Sequence, residues 1–325
     1  MIVKPYFDFL NKDLKISFLK TLFSKDSIKT YDNQVNILLL GIGGQAHDGP
    51  NLSDSINLIN YNFKTNTLST ISIPRDIWSE TLKDKINSAY AYGEAKRPGE
   101  GGLILAKAEV SEIVGMPIQY GAVINFNQFK QLIDLLGGVD VKVENSFIDK
   151  RFPIDGKEND LCGGDPEYNC RYETISFTKG LTHMDGKTAL KFIRSRHAEG
   201  EEGTDFAREK RQQKVIEAIK NKLILIVKKL DLNQYKKLYN FFDNSIKRDI
   251  TNQQLAIITK NIILNKNFQQ IKITLNENLF INPPISYKYN DLWVLIPKNN
   301  DYSIIHKYIQ CQLKNNNNCD NLENQ

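Results

Sequence analysis

The chain has 325 residues, 41% hydrophobic and 25% charged, with a formal net charge of +5. That length and balance give a globular protein with a full core and exclude disordered or collagen-like chains. The positive charge is mild and spread through lysines. No helix-turn-helix signature, zinc pattern or aromatic-interleaved basic strip accompanies it, so nucleic acid is excluded as a partner.

Residues 1–34 form an N-terminal segment with Phe7, Leu10, Leu14, Phe18 and Leu22 at helical spacing. It reads either as an interfacial membrane helix or as a helix packed on the domain. Lys12, Asp13, Lys15 and Lys20 interrupt it, leaving it short of the roughly 20 apolar residues of a span and of a signal peptide's apolar core. Residues 35–40 are a continuous apolar run of strand length. Gly41-Ile-Gly-Gly-Gln-Ala46 formally fits a dinucleotide fingerprint, which needs a helix to receive the pyrophosphate. A turn-rich loop through Pro50 and another strand follow instead, which argues against an oxidoreductase of that fold. Residues 55–61 and 67–73 alternate like paired strands. Residues 103–114 read as a helix, 122–126 as a strand and 128–136 as a helix stopped by Gly137 and Gly138. Residues 139–143 alternate as a strand, and 185–193 and 205–229 are helical. Strands interleaved with helices indicate an α/β layered domain over residues 35–229. From about residue 230 come shorter helices, strands at 271–275 and 292–296, and a final helix from Tyr302. This reads as a small C-terminal α/β appendage over 230–314, with 315–325 as a flexible asparagine-rich tail.

Charge chemistry concentrates in one place. Four of the nine arginines, Arg194, Arg196, Arg208 and Arg211, fall within residues 192–213 of a chain that otherwise uses lysine. Arginine's planar fork matches phosphate oxygens in pairs, where lysine is a mobile point charge. Thr204 or Asp205 can cap a helix whose apolar stripe, Val215, Ile216, Ile219 and Leu223, runs back through Gln212, Arg211 and Arg208. The helix turn with free N–H groups thus starts with arginines, as an anion site would. The alternative is surface pairing with Glu199, Glu201, Glu202 and Glu209. The four cysteines form equally spaced pairs, Cys162/Cys170 and Cys311/Cys319. Local disulfides in an oxidising compartment fit best, with free thiols as the alternative. The four histidines show no pairing that suggests a metal or a catalytic triad.

Several segments together resemble the LytR–CpsA–Psr family. They are Asn36-Ile-Leu-Leu-Leu-Gly41, Ser53-Asp-Ser55, Ser72-Ile-Pro-Arg-Asp76, Lys85-Ile-Asn-Ser-Ala-Tyr-Ala-Tyr-Gly93, Asn125-Phe-Asn127 and Leu135-Leu-Gly-Gly-Val-Asp140. His183-Met-Asp-Gly-Lys-Thr-Ala189, Arg194-Ser-Arg-His197 and Asp205-Phe-Ala-Arg-Glu-Lys-Arg-Gln-Gln213 complete the order. The resemblance implies a three-layer α-β-α sandwich with a mixed central sheet. It implies an envelope enzyme that transfers a glycan with one phosphate from a polyprenyl pyrophosphate carrier to a cell-wall acceptor such as peptidoglycan, releasing polyprenyl phosphate at the membrane surface. It implies that Arg75, Arg194, Arg196, Arg208, Arg211 and Gln212 hold the pyrophosphate, and that Asp54 helps carry magnesium, with manganese as its substitute. Asp76 is a candidate base, or equally a carboxylate that orients Arg75. The family's first metal aspartate is replaced by Gly43, for which Asp48 is the candidate substitute ligand. The alternative is an envelope protein that binds the lipid-linked glycan without turnover. The family's usual N-terminal membrane anchor is not seen, so either the start is truncated or the amphipathic segment near residues 7–22 serves instead, and an extracytoplasmic, membrane-associated location is expected.

Overall fold

The computed structural model describes residues 11–12, 16, 28–45, 47, 49–229, 231–264, 269–314 and 319. Apart from isolated positions, the amphipathic N-terminal segment and the asparagine-rich tail lie outside the described residues, as does Asp48. Three strands open the described fold, β1 (Gln34–Ile42), β2 (Ser53–Asn62) and β3 (Thr67–Ile73). Short β4 (Trp78–Ser79) and β5 (Asp84–Lys85), α1 (Ala89–Lys96), α2 (Gly101–Val114) and β6 (Tyr120–Asn125) follow. Next come α3 (Phe126–Leu135), β7 (Val139–Val143), β8 (Phe147–Pro153), β9 (Tyr172–Phe177), β10 (Gly180–Met184), α4 (Gly186–Arg194), α5 (Asp205–Lys229) and α6 (Leu232–Ser245). The chain ends with β11 (Lys247–Arg248), α7 (Asn252–Leu264), β12 (Gln269–Thr274), β13 (Phe280–Ile281), β14 (Ile296–Pro297) and α8 (Ser303–Leu313).

Two compact units result. The first comprises residues 1–42, 51–124 and 246–325, and the second residues 43–50 and 125–245. The first unit is built on a six-stranded sheet in the order β11-β6-β1-β2-β3-β12. β1, β2 and β3 are antiparallel neighbours, whereas β12 lies parallel to β3, so the sheet is mixed. Side chains alternate across it. Leu38, Leu40, Ile56, Leu58, Ile71 and Ile73 pack on one face with Val110 and Ile113 of α2 and Ile305 and Ile309 of α8. Val35, Ile37 and Tyr61 pack on the other with Ile257 and Ile258 of α7. Helices on both faces make three layers, and burial on both faces is why residues 35–40 read as continuously apolar rather than alternating. Each of these side chains contributes roughly 1.5–3 kcal/mol by leaving water.

The chain from residue 246 is therefore not a separate appendage, as the sequence pattern suggested. β12 extends the central sheet in register from Gln269↔Thr67 to Thr274↔Ser72, and α7 and α8 cover opposite faces of it. Local periodicity marks a strand but carries no information about a partner so remote in sequence. The strand expected over 292–296 shrinks to β14, and Leu295 instead bonds beside Asp76 and Trp78.

In the second unit β7 pairs with β10, and β8 with β9, both antiparallel. Phe147, Phe177 and Phe192 form an aromatic trio with ring centroids 5.0–6.0 Å apart. Helix starts are set locally. Asn125 and Gln128 form a reciprocal capping box on α3, and the Asp185 carboxylate accepts from Thr188 N on α4. α3 stops at Gly137 and Gly138, whose φ values of 73° and 80° a side chain would oppose. Cys162 and Cys170 are bridged with Cα atoms 5.5 Å apart in this unit, and Cys311 and Cys319 with Cα atoms 5.7 Å apart in the first. No helix among the described residues is long and apolar enough to cross a membrane.

Candidate functional site

The residues expected to act divide between the two units, and each group is built differently. In the first unit Arg75 follows the end of β3. Its Nη1 donates to Asp54 Oδ1 at 2.5 Å, while its Nε lies 3.4 Å from Asp76 Oδ2. That Nε is buried and makes no hydrogen bond, an unsatisfied donor that a buried site rarely tolerates without a partner such as an oxyanion. Pairing of β4 with β5 sets Trp78 opposite Lys85, and Lys85 Nζ donates to Asp76 Oδ1 at 2.7 Å. Asp76 is buried between two cations, an arrangement that favours orienting Arg75 over abstracting a proton. Lys85 stood in a quoted motif without a role. Its contact with Asp76 depends on the β4–β5 turn, which residue spacing did not reveal.

In the second unit Thr204, rather than Asp205, caps α5, its Oγ1 accepting from Ala207 N at 3.1 Å. Asp205 instead faces two arginines. Arg208 Nη1 lies 2.7 Å and Arg196 Nη2 3.8 Å from Asp205 Oδ1. Arg196 Nη2 is buried without a hydrogen bond, and Arg208 is buried. Arg196 and Arg208 meet at Asp205 at the N-terminus of α5, where the helix dipole favours an anion. Of the glutamate pairings that sequence left open, Arg211 with Glu202 is present at 2.8 Å, but burial removes Arg208 and Arg211 from the surface.

Arg211 departs from its expected role. Its Nε donates to Phe192 O, its Nη2 to Ser195 O, and its Nη1 to Glu202 O and Oε2. The guanidinium rests over Phe147 at 4.9 Å. Burial draws its pKa below the ordinary value, opposed by the Glu202 and Asp149 charges. With these donors committed to protein oxygens, it fastens the loop that carries Arg194 and Arg196 instead of offering itself to a ligand. Gln212 is buried beside it on α5. Arg194 is held by Asp155 at 2.9 Å and lies over Phe126 at 4.5 Å.

Asp149 is the residue that sequence reasoning missed. It is fully buried, and its Oδ2 accepts from Ser195 Oγ at 2.7 Å and from Arg196 N and His197 N at 3.1 Å each. Its Oδ1 accepts from Arg151 N at 3.0 Å. A β-strand aspartate thus fixes the backbone of the arginine loop. The Arg194-Ser-Arg-His197 motif contains its partners, but nothing local points to Asp149.

Hard oxygen donors for a cation are few. Asp54 offers Oδ2, since Oδ1 is taken by Arg75. Gly43 supplies nothing, and a Cβ there would meet His47 Cβ at 3.0 Å. One described carboxylate fits a hard cation only where a ligand brings further oxygens. Contrary to the expectation for histidines, His47 groups with Asp155 and Glu158, with ligand atoms all within 4.8 Å. Arg194 already neutralises Asp155 there. Asp160 groups similarly with Cys162 and Cys170, whose sulfurs are bonded to each other.

The sequence profile of the LytR_cpsA_psr family matches residues 11–301. Proteins of Bacillus cereus and Bacillus anthracis named polyisoprenyl-teichoic acid–peptidoglycan teichoic acid transferase TagU are 32% identical over 231 residues. The match covers 70% of this chain and 64% of each relative, less than two thirds of the relatives' length. Among solved structures, B. subtilis TagV has a TM-score of 0.57 at 23% identity, covering 88% of this chain and 99% of that one. The LytR-CPS2A-psr family protein YwtF (TagT) with bound octaprenyl pyrophosphate lipid has a TM-score of 0.55 at 22% identity, covering 88% and 94%. These structural likenesses show a shared mixed α/β fold.

Proposed function

The chain belongs to the LytR–CpsA–Psr family, and from that premise we propose that it transfers a phosphoglycan from a polyprenyl pyrophosphate carrier to a cell-wall acceptor such as peptidoglycan, outside the cytoplasm and at the membrane surface. The observation that carries this reading is a pair of buried guanidinium nitrogens without a hydrogen bond, Arg75 Nε in the first unit and Arg196 Nη2 in the second. Structural arginines such as Arg211 satisfy their donors within the protein, whereas these await an oxyanion.

In the reaction an acceptor hydroxyl oxygen attacks the glycan-bearing phosphorus, and the bond to the bridging oxygen breaks. Polyprenyl phosphate departs with the electron pair, and the hydroxyl proton is lost to solvent. Negative charge accumulates on the phosphoryl and bridging oxygens, where fixed guanidinium donors stabilise the transition state. The family resemblance gives that role to Arg75 of the first unit and to Arg196 and Arg208 of the second. Asp54, Asp76 and Asp205 hold them in place, and Lys85 holds Asp76. Asp54, with Asp48 as the candidate second ligand, would hold a magnesium ion, which would supply further charge neutralisation.

Release of free polyprenyl phosphate from a polyprenyl pyrophosphate glycan, with acceptor and magnesium present, tests the proposal. Arg75→Ala and Arg208→Ala each lower turnover by about 10²-fold or more, and Arg75→Lys rescues poorly because the bidentate fork is lost. Wild-type turnover in both Arg208→Ala and Arg208→Lys overturns the arginine assignment. Gly43 favours a second reading, binding without turnover. Tight binding of the lipid-linked glycan with no polyprenyl phosphate released would select it.

A further inference from the structure

The segment from 280 to 297 carries an exposed aromatic residue that neither the core nor the reaction above uses. Residues 293–295 run beside the motif that contains Arg75. Leu295 N donates to Asp76 O and Trp78 N to Leu295 O, both at 2.9 Å, and Ile77 bridges Leu295 in parallel. Val294 and Leu295 turn inward and are buried. Trp293 stays 42% exposed. Lys85 Nζ lies 6.0 Å from its ring centroid, and the same ammonium holds Asp76 at 2.7 Å.

The position is firmly built. Val294 packs with Trp78 and Tyr289 in a small cluster, with Trp78 and Tyr289 edge to face at 5.3 Å. Asn282 Nδ2 donates to Val294 O at 2.7 Å and Asn290 Nδ2 to Lys83 O at 2.8 Å. An indole is a large apolar surface to leave in water when its neighbours are buried. Its electron-rich face attracts partners with a positive edge, and the axial C–H groups of a pyranose ring present such an edge in a flat array. A long polysaccharide cannot enter a closed pocket and needs an open stacking surface close to the reacting groups.

We propose that Trp293, with Lys85 beside it, forms the stacking wall for a pyranose ring of the acceptor glycan, next to the Arg75–Asp76 pair. The inference rests on the transferase reading for the word acceptor, and names the chemistry by which that substrate is held: a pyranose ring lying across an open aromatic face.

Indole fluorescence provides the test. The chain has two tryptophans and Trp78 is buried, so a solvent-side change reports Trp293. Soluble peptidoglycan glycan strands quench or shift the emission of the wild-type chain saturably. The titration signal disappears in Trp293→Ala and persists in Arg75→Ala, which removes chemistry but not the wall. In transfer assays Trp293→Ala raises the acceptor KM about tenfold with donor KM and kcat little changed, and Trp293→Phe recovers most of the loss. Quenching by phosphatidylglycerol vesicles without response to glycan strands overturns the proposal and makes Trp293 a membrane contact. An unchanged acceptor KM in Trp293→Ala, or a rise in donor KM instead, overturns it as well. Glycan binding through Trp293 with no turnover in the wild type sinks the transferase reading and leaves the glycan site standing.

Discussion

At the scale of the residue, two buried carboxylates do opposite things to stability. Asp149 accepts three hydrogen bonds from the loop that bears Arg194 and Arg196 and a fourth from Arg151 N. Asp149→Ala leaves those buried donors unmatched, so it costs about 2–4 kcal/mol in urea unfolding. A change under 0.5 kcal/mol would show that the loop is held elsewhere, chiefly by Arg211. Glu109 is buried in α2 with Ser79 Oγ donating to it at 2.6 Å. Burial raises its pKa above 4.5, opposed by the Ser79 hydrogen bond and reinforced by the Glu112 charge. The folded state therefore holds this proton more tightly than the unfolded chain. Its contribution is fully present below the unfolded pKa and is lost as pH rises through the folded one. Glu109→Gln, which keeps the acceptor and cannot ionise, melts higher than the wild type at neutral pH, and the gap closes toward pH 4. An advantage that is independent of pH would contradict this sign.

At the scale of the element, what was legible followed from local chemistry. Strands β1 to β3, the helices α2, α3 and α5, and the stop at Gly137–Gly138 all follow from periodicity and caps contained within each segment. The paired β8 and β9 did not stand out, because Asp149, Lys150 and Arg151 break the alternation and the register shifts between Asp149 and Phe152. Which elements pair was equally hidden, and β12 shows what that means for stability. Deleting residues 269–325 strips β3 of its neighbour and removes α8, with Ile305 and Ile309, from the first core. The shortened chain lacks cooperative thermal unfolding and binds a hydrophobic dye. A soluble fragment of 1–268 with a sharp transition would restore the view of this region as an appendage.

At the scale of the whole molecule, the arginine cluster was the strongest signal in the sequence, and its residues now separate into two kinds. Arg208 and Arg196 share Asp205, while Arg211 is held by protein oxygens. Sequence could not divide Arg208 from Arg211, because both sit on one helical stripe and differ only in what the loop at 192–202 brings to them. The cation follows the same logic of incomplete neutralisation. With Asp54 as the one described carboxylate, magnesium binds the free chain with a dissociation constant on the order of 1 mM or weaker and at least about tenfold more tightly with a pyrophosphate ligand present. Isothermal titration with and without that ligand reads the difference. Equal affinity in both, or full turnover in EDTA, removes the metal from the site.

Residues 125–245 are an insertion between β6 and β11 of the sheet, so the sheet is finished only by the last quarter of the chain. During biosynthesis β1, β2 and β3 emerge first, and β3 then waits with an open edge while the whole inserted unit is made. A polypeptide delivered vectorially across a membrane would spend that interval with its most apolar strands uncovered, the condition under which strands find wrong neighbours. Nascent chains stalled before residue 269 should therefore be the ones that chaperones hold, and release should coincide with arrival of β12.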